Sequence, residues 1–237
     1  MILIPTYNAE KCIEQTLLSL SSQTLQEPIW VFDNASSDAT VNIVKKFPDV
    51  NLYQHKKNHG RIENWNFCIE LVKEKKPLFF KLLMAGDTLA AEANEQYRKA
   101  FESNENVGAV VSDFHYAQFQ REPYYISVLE RTPGCIPSKE ALKLLSKINF
   151  MGSLSNIAFN ADCLKNGLTF DHALGWASDY FFNIRVMKTY DCFYIDNALS
   201  TTNVAFRRFY TENRDSLVSK IEEFLVQQKA IQFLLEI

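Results

Sequence analysis

The sequence contains neither G-x-G-x-x-G nor G-x-x-x-x-G-K-[ST], so the usual glycine-rich cradles for dinucleotides and nucleoside triphosphates are missing. Any phosphate the chain handles must be held in another way. Cysteine is sparse: Cys12, Cys68, Cys135, Cys163 and Cys192 are widely spaced, odd in number and without a C-x-x-C pair. That usage argues against a disulfide framework and against a structural zinc site, and it fits a reducing, cytoplasmic location. His55, His59, His115 and His172 lack H-E-x-x-H spacing and read as surface or core residues. No run of about 18 apolar residues and no basic-then-apolar leader occurs, so neither a membrane span nor a signal peptide is expected. A basic excess is missing too: with a net charge of -3 the chain lacks the footprint of a nucleic-acid binder.

What is present is an alternation of short apolar runs with amphipathic stretches. At 237 residues the chain is long enough for one domain that buries roughly 70–75% of its unfolded surface. Strands are predicted at residues 1–4, 29–32, 50–55, 79–84 and 107–112, with helices at 9–21, after 37, at 62–75 and at 88–103. This order calls for an α/β fold with a parallel sheet and right-handed crossovers. Three of the strands are followed by a lone acid: Asp33, Asp87 and Asp113. The carboxyl edge of an open α/β sheet is where ligands bind, which makes these acids candidates for phosphate or metal handling. Asp87 has a second reading, as the N-cap of the helix after it, and Ser37 or Asp38 can cap the helix carrying Val41, Val44 and Phe47.

Beyond residue 113 the alternation is lost, aromatics crowd together (Phe114, Tyr116, Phe119, Tyr124, Tyr125), and Pro133, Gly134 and Pro137 mark turns. A helix at 138–148 capped by Ser138, strands at 152–159 and 192–195, and a helix beginning at Asp179 follow. A closing helix over 216–237 bears Leu217, Ile221, Phe224, Leu225 and Ile231. That helix either packs on the domain or rests on a membrane or a second subunit. The chain thus divides into a first subregion, 1–113, and a second, 114–237, within one domain.

The order of motifs resembles the family-2 glycosyltransferases of GT-A fold. I-P-T-Y-N at 4–8 looks like that family's opening signature, and D-N-A-S-S-D-A-T at 33–40 is close to its D-x-x-S-x-D-x-T segment. N-H-G-R-I-E-N-W-N at 58–66 is similar to its N-x-G…N-x-N stretch, and K-L-L-M-A-G-D-T-L at 81–89 falls where the metal-binding D-x-D lies. The resemblance covers roughly the first 110 residues and thins afterwards to Ser178-Asp179, where the family has an acidic pair ending in the catalytic base. It implies a GT-A-like single domain that moves a sugar from a nucleoside-diphosphate sugar to a glycan or lipid-linked hydroxyl acceptor, with inversion, in surface polysaccharide synthesis.

Carried over residue by residue, the resemblance implies that Pro5, Thr6, Tyr7 and Asp33 meet the nucleotide, with Arg61 nearby. It makes Asp87 the ligand of Mn2+ or Mg2+ and Asp179 the general base. Tyr7 offers an aromatic face for a base, and the Asp33 carboxylate can accept from a base N–H or a ribose hydroxyl. Asn64 and Asn66 are expected to order their loop. The D-x-D is reduced to one acid, with Met84 and Gly86 before Asp87, so Arg207 and Arg208 are candidates to neutralise the diphosphate instead. A non-catalytic nucleotide-sugar-binding relative would carry the same thinned acids. A nucleotidyltransferase would need a glycine-rich basic loop after the first strand, and Pro5-Thr6-Tyr7-Asn8 is not one.

Overall fold

The computed structural model describes residues 1–117, 124–126, 129, 132–203 and 215–236. Its first half alternates as expected: β1 (Ile2–Thr6), α1 (Ile13–Ser21), β2 (Ile29–Asp33), α2 (Thr40–Val44), β3 (Val50–Gln54), α3 (Arg61–Lys75) and β4 (Phe79–Leu82). β1 pairs in parallel with β2 on one side and β4 on the other, and β2 pairs in parallel with β3. Ile2 and Ile4 enter one apolar layer with Ile13 and Leu17 of α1, while Met1 and Leu3 enter the other with Ile69 and Val72 of α3. A strand covered on both faces has no polar side to alternate, which is why it reads as a bare apolar run.

Next come β5 (Thr88–Leu89), α4 (Ala93–Glu102) and β6 (Val107–Ala117). The helix expected from residue 88 starts later because Leu89 and Thr88 pair with Ser200 and Thr201. Glu92, not Asp87, holds the N-cap position of α4. The second half runs β7 (Tyr124–Ile126), β8 (Gly134–Ile136), α5 (Ser138–Leu145), β9 (Ile157–Asn160), α6 (Ser178–Met187), β10 (Asp191–Asn203) and α7 (Leu217–Glu236). One mixed sheet results, in the order β3-β2-β1-β4-β9-β6-β10-β5, with β7 on β6 and β8 on β10. Helices cover both faces. The expected strand at 152–159 is shortened to β9 by a 3₁₀ turn, Leu154–Asn156. The strand expected at 192–195 grows into the 13-residue β10, parallel to β6 with register shifts around Ala198. Pairing with β6 holds its polar Ser-Thr-Thr-Asn end extended, and no apolar period announces that.

Lys81 is the outlier in this core. It lies fully buried in β4, its Nζ donating to the Ile157 carbonyl at 3.1 Å and to Tyr97 Oη at 3.4 Å, 4.7 Å from the Tyr97 ring centre. Tyr97 Oη in turn meets Ser112 Oγ at 3.3 Å. Burial pushes the ammonium down to about 7, while the charge of Asp87 pulls the other way. Between about pH 7 and the ordinary 10.5, the unfolded chain therefore holds a proton that the folded chain has given up, and stability rises with pH across that window. Lys81→Met, which nearly conserves volume, is expected to raise stability at about pH 7 and to flatten the rise between about pH 7 and 9. Denaturant unfolding at the two pH values checks it. An unchanged slope would show that another group sets the pH dependence.

Candidate active site

The strand order β3-β2-β1-β4 brings the loops after β1, β2 and β4 to one carboxyl edge, where α1 is tied to the loop after β4 by Gln15 and Thr16, which donate to the Gly86 and Asp87 carbonyls. A cleft of about 730 Å³ opens there. One part of its wall is the β1 loop, including Pro5, Thr6 and Tyr7, together with Asn34, Asn58, Gly60 and Arg61. Thr6 is buried and donates to the Ile4 carbonyl, whereas Tyr7 is 51% exposed at the mouth. Asn8, in the left-handed region at φ 48°, ties the β1 loop to the β2 loop: its amide N–H donates to Ser36 Oγ and its Oδ1 accepts from the Ser37 amide. α2 has Ala39 at its N-cap, and Asp38 instead accepts from the Thr40 amide at 3.0 Å.

Asp33, the last residue of β2, is completely buried, and neither it nor Asp87 forms part of the cleft wall. Its Oδ2 accepts from the Ser36 amide at 3.0 Å, and its Oδ1 has no hydrogen-bond partner among the described residues. Asn34 carries the connection outward, donating to Asn58 Oδ1 and the Gly60 carbonyl and accepting from the His59 amide. Asn64 donates to the Phe32 carbonyl, and Asn66 exchanges two hydrogen bonds with the Phe170 backbone. Both thus anchor α3, Asn64 to the end of β2 and Asn66 to the Phe170 backbone, and Asn64 also lines the cleft. Cys12 also lines the cleft, but burial and then the charges of Asp87 and Asp38 push its thiol up to about 11, which keeps it a poor nucleophile.

Asp87 is fully buried, and its Oδ1 accepts from the Asn203 amide at 2.8 Å where β10 ends. Among the described residues, no three His, Cys, Asp or Glu side chains converge on a point that could hold an ion. A divalent ion here would have Asp87, with one oxygen already taken by the Asn203 amide, as its carboxylate and would draw its remaining ligands from water and substrate phosphates. Asp113 does not follow its strand but lies buried within β6, where Tyr194 Oη donates to it at 2.9 Å. Arg207 and Arg208 lie outside the described residues.

The opposite wall carries Trp176, Asp179, Tyr180 and Glu223. Asp179 is half-buried in the first turn of α6. Ala177, at the N-cap, makes no side-chain cap hydrogen bond; Ser178 Oγ donates to the Asp171 carbonyl, and Asp179 Oδ1 accepts from the Tyr180 amide at 2.8 Å. The carboxylate of Glu222, from α7, holds the loop ahead of the helix. Its oxygens accept from the backbone amides of Gly175, Trp176 and Ala177 at 3.1, 2.6 and 2.9 Å. An acid accepting from the amides ahead of a helix also sits where the helix dipole favours negative charge. Arg61 grips the same loop, donating to the Gly175 carbonyl while its Cζ stands 4.5 Å from the Trp65 ring centre.

Residues 1–153 match the family model described as glycosyl transferase family 2. The chain belongs to that family. The match takes in the four motif segments and stops before Asp179 and Glu222. Over 175 residues the chain is 27% identical to the uncharacterized glycosyltransferase YfnE of Bacillus subtilis (strain 168), a stretch that is 68% of this chain and 43% of that protein. The chain thus spans less than half the length of this curated relative. The structure of S. aureus TarS 1-349 superposes with a TM-score of 0.71 at 18% identity, over 99% of this chain and 69% of that one. TarS 1-349 in complex with UDP-GlcNAc gives 0.70 at 18% identity, over 85% and 57% of the two chains. The mannosyltransferase PcManGT of Pyrobaculum calidifontis in complex with GDP-Man and Mn2+ gives 0.62 at 17%, over 99% and 72%. At these identities the likeness is one of fold: an α/β, GT-A-like mixed sheet flanked by helices.

Glu222 and Glu223 were not visible among the family motifs, since their partners lie 45–47 residues away and nothing local marks them. Glu222→Ala leaves three backbone donors with one wall of their cage gone, at about 1–3 kcal/mol for a buried unsatisfied group. A lower melting temperature and faster amide exchange at 175–177 are expected, with Glu222→Gln intermediate. For Asp87, which accepts from the Asn203 amide, Asp87→Asn should keep stability within about 1 kcal/mol while Asp87→Ala loses more. Equal thermal unfolding of the two variants would remove that hydrogen bond from the account.

Proposed function

We propose that the chain transfers a sugar from a nucleoside-diphosphate sugar to a hydroxyl acceptor. The observation that carries the reading is one cleft in which a family-2 donor-side loop, Pro5 to Tyr7, faces Asp179 from the far end of the sequence. Tyr7 presents a half-exposed ring to a nucleotide base, while Asp33, buried behind the cleft wall, serves the nucleotide side by holding the Ser36 amide of the loop after β2. Arg61 and Arg207 are the cations proposed for the nucleotide diphosphate. The neighbours in complex with UDP-GlcNAc and with GDP-Man support a nucleotide sugar as donor without choosing between the two bases.

In the transfer step the acceptor oxygen attacks the anomeric carbon, the bond from that carbon to the diphosphate oxygen breaks, and the hydroxyl proton passes to the Asp179 carboxylate. A single displacement of this kind inverts configuration, and a positioned base contributes about 10²–10⁴ in rate. A non-catalytic nucleotide-sugar-binding protein is the second reading, favoured by the engagement of Asp87 with the Asn203 amide.

Surface-glycan synthesis at the inner face of the cell membrane fits this chemistry. No helix among the described residues is long and apolar enough to cross a membrane. Leu217, Val218, Ile221, Phe224 and Leu225 of α7 are exposed, which supports a peripheral contact of that helix with a membrane or a second subunit.

Asp179→Asn separates catalysis from binding, since it preserves size but cannot accept the proton. Transfer is expected to fall at least about a hundredfold, with melting temperature and nucleoside-diphosphate affinity unchanged. Release of nucleoside diphosphate from a panel of UDP- and GDP-sugars measures it. A variant within a few-fold of the parent removes Asp179 as the base, and a parent that binds donors without turning any over is the binding protein.

A further inference from the structure

Helix α7 is apolar on two opposite faces. Toward the domain it buries Glu222, Val226 and Ala230, with Phe233 packed on the same core. On the far side Leu217, Ile221, Phe224, Gln228, Ile231 and Leu235 recur alternately four and three residues apart, the period that keeps side chains in one seam along a paired helix. All six are exposed, the apolar ones from 40% at Ile231 to 84% at Leu235, and none of them lines the cleft. Val218 and Leu225, beside the seam, are exposed too. A helix that is apolar all round is normally covered all round, so this outer face calls for a second cover.

Charge decides between a bilayer and a protein as that cover. A helix that lies on a bilayer carries an excess of Lys and Arg around its apolar face. α7 instead has Lys220 and Lys229 against Glu222, Glu223 and Glu236, on a chain whose net charge is -3. A second copy of the same helix fits the seam better, because the seam mirrors itself about Val226: Leu217 corresponds to Leu235, Ile221 to Ile231 and Phe224 to Gln228. Two copies laid antiparallel, with a two-fold axis at the height of Val226, bring leucine to leucine and isoleucine to isoleucine. That is the isologous contact that closes a dimer. The arrangement also sets the helix dipoles head to tail, and it places each Lys220 level with position 232 of the other copy, twelve residues from the other Lys220. Twelve residues of helix are about 18 Å, beyond the screening length of about 8 Å. No acid lies in the seam, and Gln228 is a polar residue of the kind that fixes register in paired helices. We propose that the outer face of α7 is a dimer interface, on which a second copy of this chain packs antiparallel along the 217–235 seam. The proposal stands apart from the glycosyl-transfer reading, but it bears on the cleft: a helix held from outside keeps Glu222 and Glu223 against the loop ahead of Asp179.

Sedimentation velocity of the purified chain over a range of concentrations measures the association, and a concentration-dependent dimer is expected. Phe224→Glu changes an exposed side chain, so far-UV circular dichroism should stay that of the parent while association weakens at least about thirtyfold, the scale of an interface anchor. A charge pair then tests the register. Ile221→Glu and Ile231→Lys should each be monomeric alone, and an equimolar mixture of the two should recover a dimer, because the antiparallel seam sets position 221 against position 231. Co-sedimentation with vesicles of phosphatidylcholine, alone and with phosphatidylglycerol, tests the bilayer as the cover, and neither vesicle is expected to retain the parent. A parent that stays monomeric, an association unmoved by Phe224→Glu, or vesicle binding that Phe224→Glu abolishes would overturn the proposal. So would a mixture of the two charge variants that stays monomeric.

Discussion

The position of β1 between β2 and β4 is the constraint on which the rest of the cleft depends. It requires a strand with no solvated face, which Ile2, Leu3 and Ile4 supply at 0% exposure. It also requires the chain to depart on one side and return on the other. The loop after β1 then has few backbone partners of its own and borrows them from the loop after β2, through Asn8, Ser36, Ser37 and Thr40. Asn8 and Ala35 adopt left-handed backbone in these loops, at a cost of roughly 1–2 kcal/mol each. The cross-links between the loops offset that cost and hold the donor-side wall in one shape.

Legibility in the sequence followed the range of the interactions. Apolar runs buried on both faces announce themselves by composition, and β1, β2 and β4 begin or end close to where that pattern places them. The motif segments up to residue 89 are local strings, so they were visible as a family resemblance and fall inside the matched region. What depends on distant pairing was hidden. Thr88 and Leu89 look like the start of a helix until β10 arrives to pair with them, and Asp87 looks like an open ligand until the Asn203 amide meets it. Asp113 follows an apolar run yet stays inside its strand, because β6 continues through a stretch, Phe114 to Tyr116, that is paired on both sides.

Both walls of the cleft are held by the same device, a carboxylate or carboxamide that gathers backbone amides. On the donor side Asp33 takes the Ser36 amide and Asn34 the His59 amide. On the acceptor side Glu222 takes three amides in succession, and Arg61 bridges the two by reaching from α3 to the Gly175 carbonyl. Such contacts depend little on the identity of the residues whose backbone is held. A wall built this way keeps its course while the side chains projecting from it change, which suits a fold that serves many donors and acceptors.

The dependence of the Gly175–Ala177 loop on Glu222 has a temporal side. Synthesis proceeds from β1 onward, so the donor-side loops can acquire their cross-links while the last helix is still being made. The loop ahead of Asp179 has no such early partner for its amides: the carboxylate that gathers them lies in α7. The wall built on β1 and β2 can therefore take its shape before the loop ahead of Asp179 does, and the two are joined only once α7 has docked.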